Sequence, residues 1–293
     1  MSPKFLVVVL IAVTTGLGVS FAGGQGGASL GNLQVMVWCA ILAFVINWIA
    51  YIPANAKQTE RFYDLTGSIT YVSVIGFALV FSDKVDTRGV LAAIMVVVWA
   101  VRLGSFLVIR IVQDGKDDRF DEIKIKPLRF LSAWTLQALW VVLTAACALV
   151  IITSDYSKPI GVLGAVGLIV WIIGFIIEVI ADAQKRAFRK NEDNTGKFIN
   201  TGLWAWSRHP NYFGEITLWI GMALFALQIL SGWQYLTLVS PLFVILLLTK
   251  VSGIPTLKGK ADARWGDNPE YQAYIKNTSL LLPLPPRTTK EGS

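Results

Sequence analysis

One histidine, two cysteines and a charged fraction of only 15% are what this chain of 293 residues has least of. A lone His209 with Cys39 and Cys147 far apart supplies no credible metal-ligand set, and no Ser-His-Asp arrangement can be singled out. Both cysteines fall inside apolar runs, where they read as small core residues and not as a disulfide framework. The glycine-rich segment 22–29 has neither a Gly-x-Gly-x-x-Gly pattern nor a strand before it, so a soluble dinucleotide-binding fold has no support. Lysine and arginine outnumber aspartate and glutamate by 26 to 19, yet the bases are spread over separate loops and form no nucleic-acid module.

What is abundant is apolar surface, at 54% of residues, with a mean hydropathy of +0.58. A membrane crossing needs about 20 mainly apolar residues, and eight runs qualify: 5–22, 33–53, 69–82, 90–112, 129–152, 160–181, 214–231 and 234–252, the third being short. The expected fold is therefore an all-α polytopic membrane bundle of about eight helices in a single membrane domain, 1–293. The first run also has the length of a signal peptide, with Lys4 before it and small residues after it; retained it makes eight spans, removed it leaves seven. With a cytoplasmic N-terminus, the outside loops hold only Lys84, Arg88 and Lys158, while the bases around Lys116 to Arg129, Lys185 to Lys197 and after Lys250 lie inside.

The polar stretch Asn200-Thr201-Gly202-Leu203-Trp204-Ala205-Trp206-Ser207-Arg208-His209-Pro210-Asn211-Tyr212-Phe213-Gly214-Glu215 stands between two apolar runs. Pro210 predicts a helix start, because its φ is preset and its missing N–H is one that a first turn leaves unpaired. Unpaired backbone N–H groups there, beside Ser207, Arg208, His209 and Asn211, suit an anion such as a phosphate. This run resembles the C-terminal signature of the steroid 5α-reductase-like membrane reductases, in which Gly-x-Trp…Arg-His-Pro-Asn-Tyr-x-Gly-Glu helps hold NADPH. Its shorter form, Arg-His-Pro-x-Tyr-x-Gly, also resembles the isoprenylcysteine and phospholipid methyltransferases, which bind S-adenosylmethionine. The segment Arg264-Trp265-Gly266-Asp267-Asn268-Pro269-Glu270-Tyr271-Gln272-Ala273-Tyr274, followed by Leu281 to Pro286, is similar to the closing segment of both. The methyltransferases carry paired glutamates before their equivalent of Trp265-Gly266, whereas this chain has Lys260-Ala261-Asp262-Ala263-Arg264, which favours the reductase.

The resemblance implies a cofactor half at 177–293, ending in a cytoplasmic tail, and a variable substrate half at 1–176. It implies NADPH as cofactor, held by Asp182 at a ribose, by Arg189 and Arg208 at phosphates, and by Trp204, Ser207, His209, Asn211, Tyr212 and Lys250, with Glu215 meeting the nicotinamide carboxamide. Structural readings stand beside these. Lys185, Arg186 and Arg189 share a helix face with Asp182 and can form surface ion pairs; Trp204 and Trp206 can be interfacial anchors; Glu215 can pair with an arginine. Lys250 and Lys258 stand where the reductases often have basic or histidine residues, and there is no histidine here.

On the substrate side, Tyr63-Asp64 stands where the reductases carry a Gln-Glu pair that polarises the substrate ketone, and either residue would be the catalytic proton donor; Asp64 paired with Arg61 in a solvated loop is the alternative. Trp99 occupies the neighbourhood of a family tyrosine, and Arg102, with Arg110 two turns nearer the loop, is an arginine costly enough within a bilayer to imply a cavity or partner; both are read as substrate-side, although Arg110 can snorkel. Arg119 and Lys126 are further phosphate candidates in a loop rich in both charge signs, and Gln137 is a candidate interhelical hydrogen bonder. The expected activity is reduction of a carbon–carbon double bond conjugated to a carbonyl in a steroid-like or other lipid substrate that enters from the bilayer, with no metal and no nucleic acid. The alternatives are the methyltransferase and a non-catalytic lipid-binding membrane protein.

The charge distribution makes one expectation testable without any ligand. Cysteines introduced near Lys124 and Asn194 should label from the cytoplasmic side, and one near Tyr156 from outside; labelling near Asn194 from outside in intact cells would invert the arrangement.

Overall fold

The computed structural model describes residues 3–114 and 117–286, apart from the side chains of Arg110, Gln113, Asp114 and Asp118. The expectations placed on Arg110 and Lys116 thus lie outside the described residues. Helix α1 (Lys4–Gly23) leads into a small antiparallel hairpin, β1 (Ser29–Leu30) with β2 (Leu33–Gln34). Then come α2 (Val35–Ala56), α3 (Tyr63–Phe81), α4 (Thr87–Asp114), α5 (Pro127–Thr153) and α6 (Val162–Lys190). The second part of the chain holds the one-turn α7 (Leu203–Trp206), α8 (Pro210–Ala226), a 3-10 segment (Gly232–Leu238), α9 (Val239–Leu246) running into a π turn (Leu247–Val251), α10 (Ile254–Trp265) and α11 (Pro269–Asn277).

Among the described residues, seven stretches are long and apolar enough to cross a membrane: α1, α2, α3, the Thr87–Ile109 part of α4, α5, α6 and the interrupted run Gly232–Trp265. The chain is a polytopic helical membrane protein. Helix α8 takes the place of the eighth expected run, 214–231, and at 17 residues is shorter than any of these seven. At 1.5 Å per residue it extends only about 25 Å, short of a hydrocarbon core of about 30 Å. The short third run, in contrast, is part of a helix of 19 residues that starts at Tyr63. Its polar first turns, which break the apolar pattern in sequence, fold back on themselves: Thr66 Oγ1 donates to the Phe62 carbonyl and Thr70 Oγ1 to that of Thr66, each at 2.7 Å.

Contacts cluster into two units. The first, Met1–Gly164 with Ala226–Ser240, is built around α5. The apolar window of α5 is 89% buried against 22% for α1, which makes it the central helix of this unit. Its sequence suits that place: Pro127 opens it with a preset φ, no charge falls between Arg129 and Asp155, and Ala145, Ala146, Cys147 and Ala148 let neighbours approach. At one end of the unit, Arg88 is buried and its Nη2 donates to the Pro159 carbonyl at 3.0 Å and to Gln228 Oε1 at 3.1 Å, so this charge ties together segments distant in sequence.

The second unit, Ala165–Phe225 with Pro241–Ser293, contains most of α6 together with α8. Gly167 and Gly174 on α6 oppose Gly221 and Gly214 on α8, each pair of glycines spaced two turns apart. A Cβ on Gly214 would lie 2.6 Å from the Glu178 backbone nitrogen, and one on Gly167 would lie 2.5 Å from that of Phe225. The two helices therefore touch backbone to backbone, as small residues permit in membrane packing. Gly214→Ala should lower stability by about 1–3 kcal/mol, whereas Gly76→Ala, whose Cβ meets nothing within 4 Å, should change it by less than about 1 kcal/mol. Thermal unfolding in mild detergent checks this; equal midpoints for the two variants would contradict the close approach.

Candidate functional site

The signature stretch is held in place from three directions within the second unit. Gly202 adopts φ +60°, which a side chain resists, and the next residue's N–H donates to Gln184 Oε1 on α6 at 2.9 Å. Trp204 is buried, and its indole N–H donates to the Ala181 carbonyl at 3.0 Å. Beyond α7 the chain runs alongside the closing segment. Arg208 N donates to the Ser279 carbonyl at 2.9 Å, Ser207 Oγ to that of Leu281 at 2.8 Å, and Leu284 N to that of Trp206 at 3.1 Å. On α11, Tyr274 donates its hydroxyl to the Trp204 carbonyl at 2.7 Å, and its ring belongs with Tyr271, Trp265 and Phe198 to one aromatic cluster.

Helix α8 begins at Pro210, as its sequence predicts. Because α6 and α8 touch, Asn211 in the first turn of α8 reaches back to α6, and its Nδ2 donates to Asp182 Oδ1 at 3.1 Å. Asp182 is 6% exposed and Glu215, one turn further along α8, 8%. Glu178, one turn before Asp182 on α6, is 2% exposed. Three carboxyl groups are thus buried on two facing helices, a costly arrangement in an apolar setting. Tyr212 stacks on His209, with ring centroids 5.5 Å apart and planes 9° from parallel.

The titration of His209 is strongly perturbed. Burial first, then the positive charges of Lys185 and Arg208, pushes its imidazole down to about 3. It is therefore neutral at physiological pH, with one ring nitrogen donating and the other accepting. Its Nδ1 and the Nε of Arg208 are both buried with no hydrogen-bond partner. Lys185 sets its ammonium over the Trp204 ring at 4.5 Å from the centroid, and the Arg208 charge is close enough to oppose the upward push of burial on Tyr271 and Tyr274. Ser207 is differently placed from the expected phosphate ligand: it is fully buried, and its hydroxyl donates to Leu281 and accepts from His209 N at 3.1 Å. Arg189, near the end of α6, and Lys250, in the π turn, are exposed.

The substrate-side candidates lie in the first unit. The Tyr63 hydroxyl donates to the Ala133 carbonyl at 3.0 Å, and its ring packs against Phe120 and Trp134 with centroids 4.8 and 5.1 Å away. Its phenolic proton therefore already has an acceptor. Asp64 is half-buried and is close enough to Arg119 to raise the guanidinium's affinity for its proton, after the larger contribution of the hydrogen bonds that Arg119 donates to Asp117. Arg119, expected as a phosphate ligand, donates its Nε to both Asp117 carboxyl oxygens at 2.9 Å. Gln137 fulfils the interhelical reading, its Nε2 donating to the Tyr63 carbonyl at 2.9 Å. Trp99 is buried and meets Tyr71 edge to face at 5.1 Å. Trp99, in the neighbourhood of a family tyrosine by sequence, thus has a tyrosine of α3 beside it in space. Arg102 lies over the Phe106 ring at 5.7 Å. Glu60 escaped notice altogether: it is 4% exposed and accepts from Lys124 Nζ at 2.8 Å. An acid three residues before a span, with lysines in the next loop on the same side, is the signal that would have found it. Among the described residues no group of three or more His, Cys, Asp or Glu is placed to hold a metal ion.

Because the folded-state value for His209 lies below the ordinary 6.5, its contribution to stability is complete above pH 6.5 and is lost as pH falls toward 3. His209→Gln, which cannot take up that proton, should lose less thermal stability than the wild type between pH 7 and pH 4.5. Parallel curves for the two proteins in detergent would show that the imidazole is not buried in its neutral form.

Over 119 residues, 40% of each chain, the sequence is 28% identical to 3-oxo-5-alpha-steroid 4-dehydrogenase 1 of Rattus norvegicus. It is 38% identical over 61 residues to a probable O-methyltransferase of Ustilaginoidea virens, 20% of this chain and 21% of the relative. A longer match, 23% identical over 227 residues, is to an uncharacterized protein of Schizosaccharomyces pombe, covering 66% of this chain and 65% of that one. The chain thus spans about two fifths of the length of the rat dehydrogenase it matches. No solved structure matches. The family described as "protein of unknown function (DUF1295)" matches residues 50–278, a stretch that takes in the polar signature and the helices holding it, so the chain belongs to that family and is a steroid 5α-reductase-like integral membrane protein.

Proposed function

We propose that the protein is a membrane reductase that uses NADPH to saturate a carbon–carbon double bond conjugated to a carbonyl in a lipophilic substrate, with the cofactor residues and the C-terminus on the cytoplasmic side. The observation that carries this reading is the Asp182–Asn211 hydrogen bond beside a neutral His209 and a buried Glu215. Two buried polar atoms without partners, Arg208 Nε and His209 Nδ1, fit a nucleotide, since such atoms are nearly always paired in a folded chain. Arg208, Arg189 and Lys250 would hold its phosphates, Asp182 and Asn211 a ribose, and Glu215 the carboxamide, with Tyr212 and Trp204 as aromatic walls. NADPH, when bound, supplies the hydride.

The chain's own residues do the rest. Neutral His209 can present a hydrogen-bond donor or acceptor without adding a charge near the phosphates. On the substrate side, as the double bond accepts hydride at its β carbon, negative charge develops on the carbonyl oxygen, and a positioned donor must stabilise it. Tyr63 donates to Ala133, so Asp64 is the better candidate for this role, and a proton from it or from water completes reduction at the α carbon. Trp99 and Tyr71 would form an apolar wall for a flat substrate. The rat relative is named for a 3-oxo-5-alpha-steroid, so a 3-oxo-4-ene steroid is the first compound to try.

Purification in mild detergent followed by mass spectrometry of bound nucleotides, and then titration, tests the proposal. NADPH should bind more tightly than NADH, and Arg189→Ala should weaken NADPH by about tenfold while barely changing NADH. Glu215→Gln should reduce turnover more than binding. Equal affinity for the two nucleotides, or binding of S-adenosylmethionine alone, would overturn the reading, the latter in favour of a methyltransferase.

A further inference from the structure

The first unit contains a buried ion pair that the proposed chemistry does not use. Glu60 closes the turn between α2 and α3, where its backbone carbonyl accepts from Tyr63 N at 2.8 Å. Its carboxyl is almost entirely buried and is bound by two groups from one segment, the Asp117 backbone N–H at 3.0 Å and Lys124 Nζ at 2.8 Å. Lys124 is further steadied by Asp121 at 3.2 Å. Burial alone would push the Glu60 carboxyl up, but the Lys124 ammonium and the Asp117 N–H outweigh it and hold the group below the usual range. Removing Lys124 would leave the buried Glu60 carboxylate with only the Asp117 N–H, which is more costly than losing an exposed pair.

The segment held in this way is the one that covers the start of α3. Phe120 lies against the Tyr63 ring, and Arg119, fixed by Asp117, carries its charge toward Asp64. We propose that Glu60 and Lys124 form a clasp that latches residues 117–126 over the first turn of α3, and that through Arg119 and Phe120 they position Asp64 and Tyr63. Both are positioning residues. The role assigned to Asp64 rests on the reductase reading above; the clasp itself does not. Since the carboxyl group takes both a main-chain and a side-chain donor from one segment, releasing it frees both ends of that segment together. The latch is therefore all-or-none, the kind of local opening that a cover over a site requires.

Amide hydrogen exchange on the full chain in detergent, without nucleotide, tests the clasp. Glu60→Gln and Lys124→Met should each speed exchange across 117–126 by about tenfold and leave the core of α5 unchanged. The Glu60→Gln/Lys124→Met double variant should speed exchange by less than the product of the two single effects, because the two side chains act as one pair. Lys124→Met keeps the apolar stem of a side chain that is 19% exposed, so it gives a folded protein even where Glu60→Gln does not. Unchanged exchange in 117–126, an increase shared equally with α5, or fully multiplicative effects in the double variant would each overturn the clasp. Failure of NADPH to bind would sink the reductase reading and leave these exchange rates as they are, so the two ideas fail separately.

Discussion

The approach of α6 to α8 is the constraint on which the candidate cofactor residues depend. Asn211 is a short side chain, and it reaches Asp182 only because Gly214 and Gly174 bring the two backbones into contact one turn away. A larger residue at either glycine would push the axes apart by more than a hydrogen bond can span, since such bonds weaken quickly beyond about 3.2 Å. The same contact buries Glu178 against Gly214 and leaves Glu215 with little exposure. Packing and polar chemistry are thus one feature here: small residues at seven-residue spacing bring the helices close enough for Asn211 to reach Asp182.

Burying such groups is poor design for stability. An apolar residue at Glu178 or Glu215 would suit a membrane helix far better, and buried polar sets rarely outperform well-packed hydrophobic ones. On the proposed reading, two of these positions, Asp182 and Glu215, have a nucleotide to hold. Their surroundings agree. Trp204, Ser207 and Tyr274 direct their polar atoms at backbone carbonyls and so build a frame, whereas Arg208 and His209 keep buried atoms without partners. The frame residues are fully satisfied within the chain, and the two that are not stand next to each other at the start of α8. Rigid support around a few unsatisfied donors is what a preformed binding site requires.

How much of this was legible in the sequence depends on whether a feature is local. Pro210 at a helix start and α6 running on past the apolar run to Lys190 follow from properties of the chain within a few residues, and both are present. The α3 start was obscured because Asp64, Thr66 and Ser68 lower the local hydropathy, although the two threonines use their hydroxyls on their own helix. The length of α8 was overestimated because apolar residues continue past Ala226 where the helix does not. Partners across helices were not legible. Nothing in the periodicity of α4 says that Trp99 will meet Tyr71 of α3, and nothing near Glu60 names Lys124, since pairing between elements is set by packing over the whole unit. Nor does residue type foretell that Tyr63 and Ser207 each donate to a backbone carbonyl far along the chain.

That last point bears on how each unit secures its own polar residues. In the second unit the polar residues are set by helix contact and by a closing segment that runs along 206–208, so their positions depend on fixed backbone hydrogen bonds. In the first unit the acid at Asp64 sits at a helix start under a loop segment, and what holds that segment is an ion pair and ring packing rather than a ladder of backbone bonds. The two units thus secure their polar residues by different means: main-chain hydrogen bonds fix those around α7 in the second, while in the first a side-chain ion pair, backed by one main-chain N–H, and ring packing hold the segment beside Asp64.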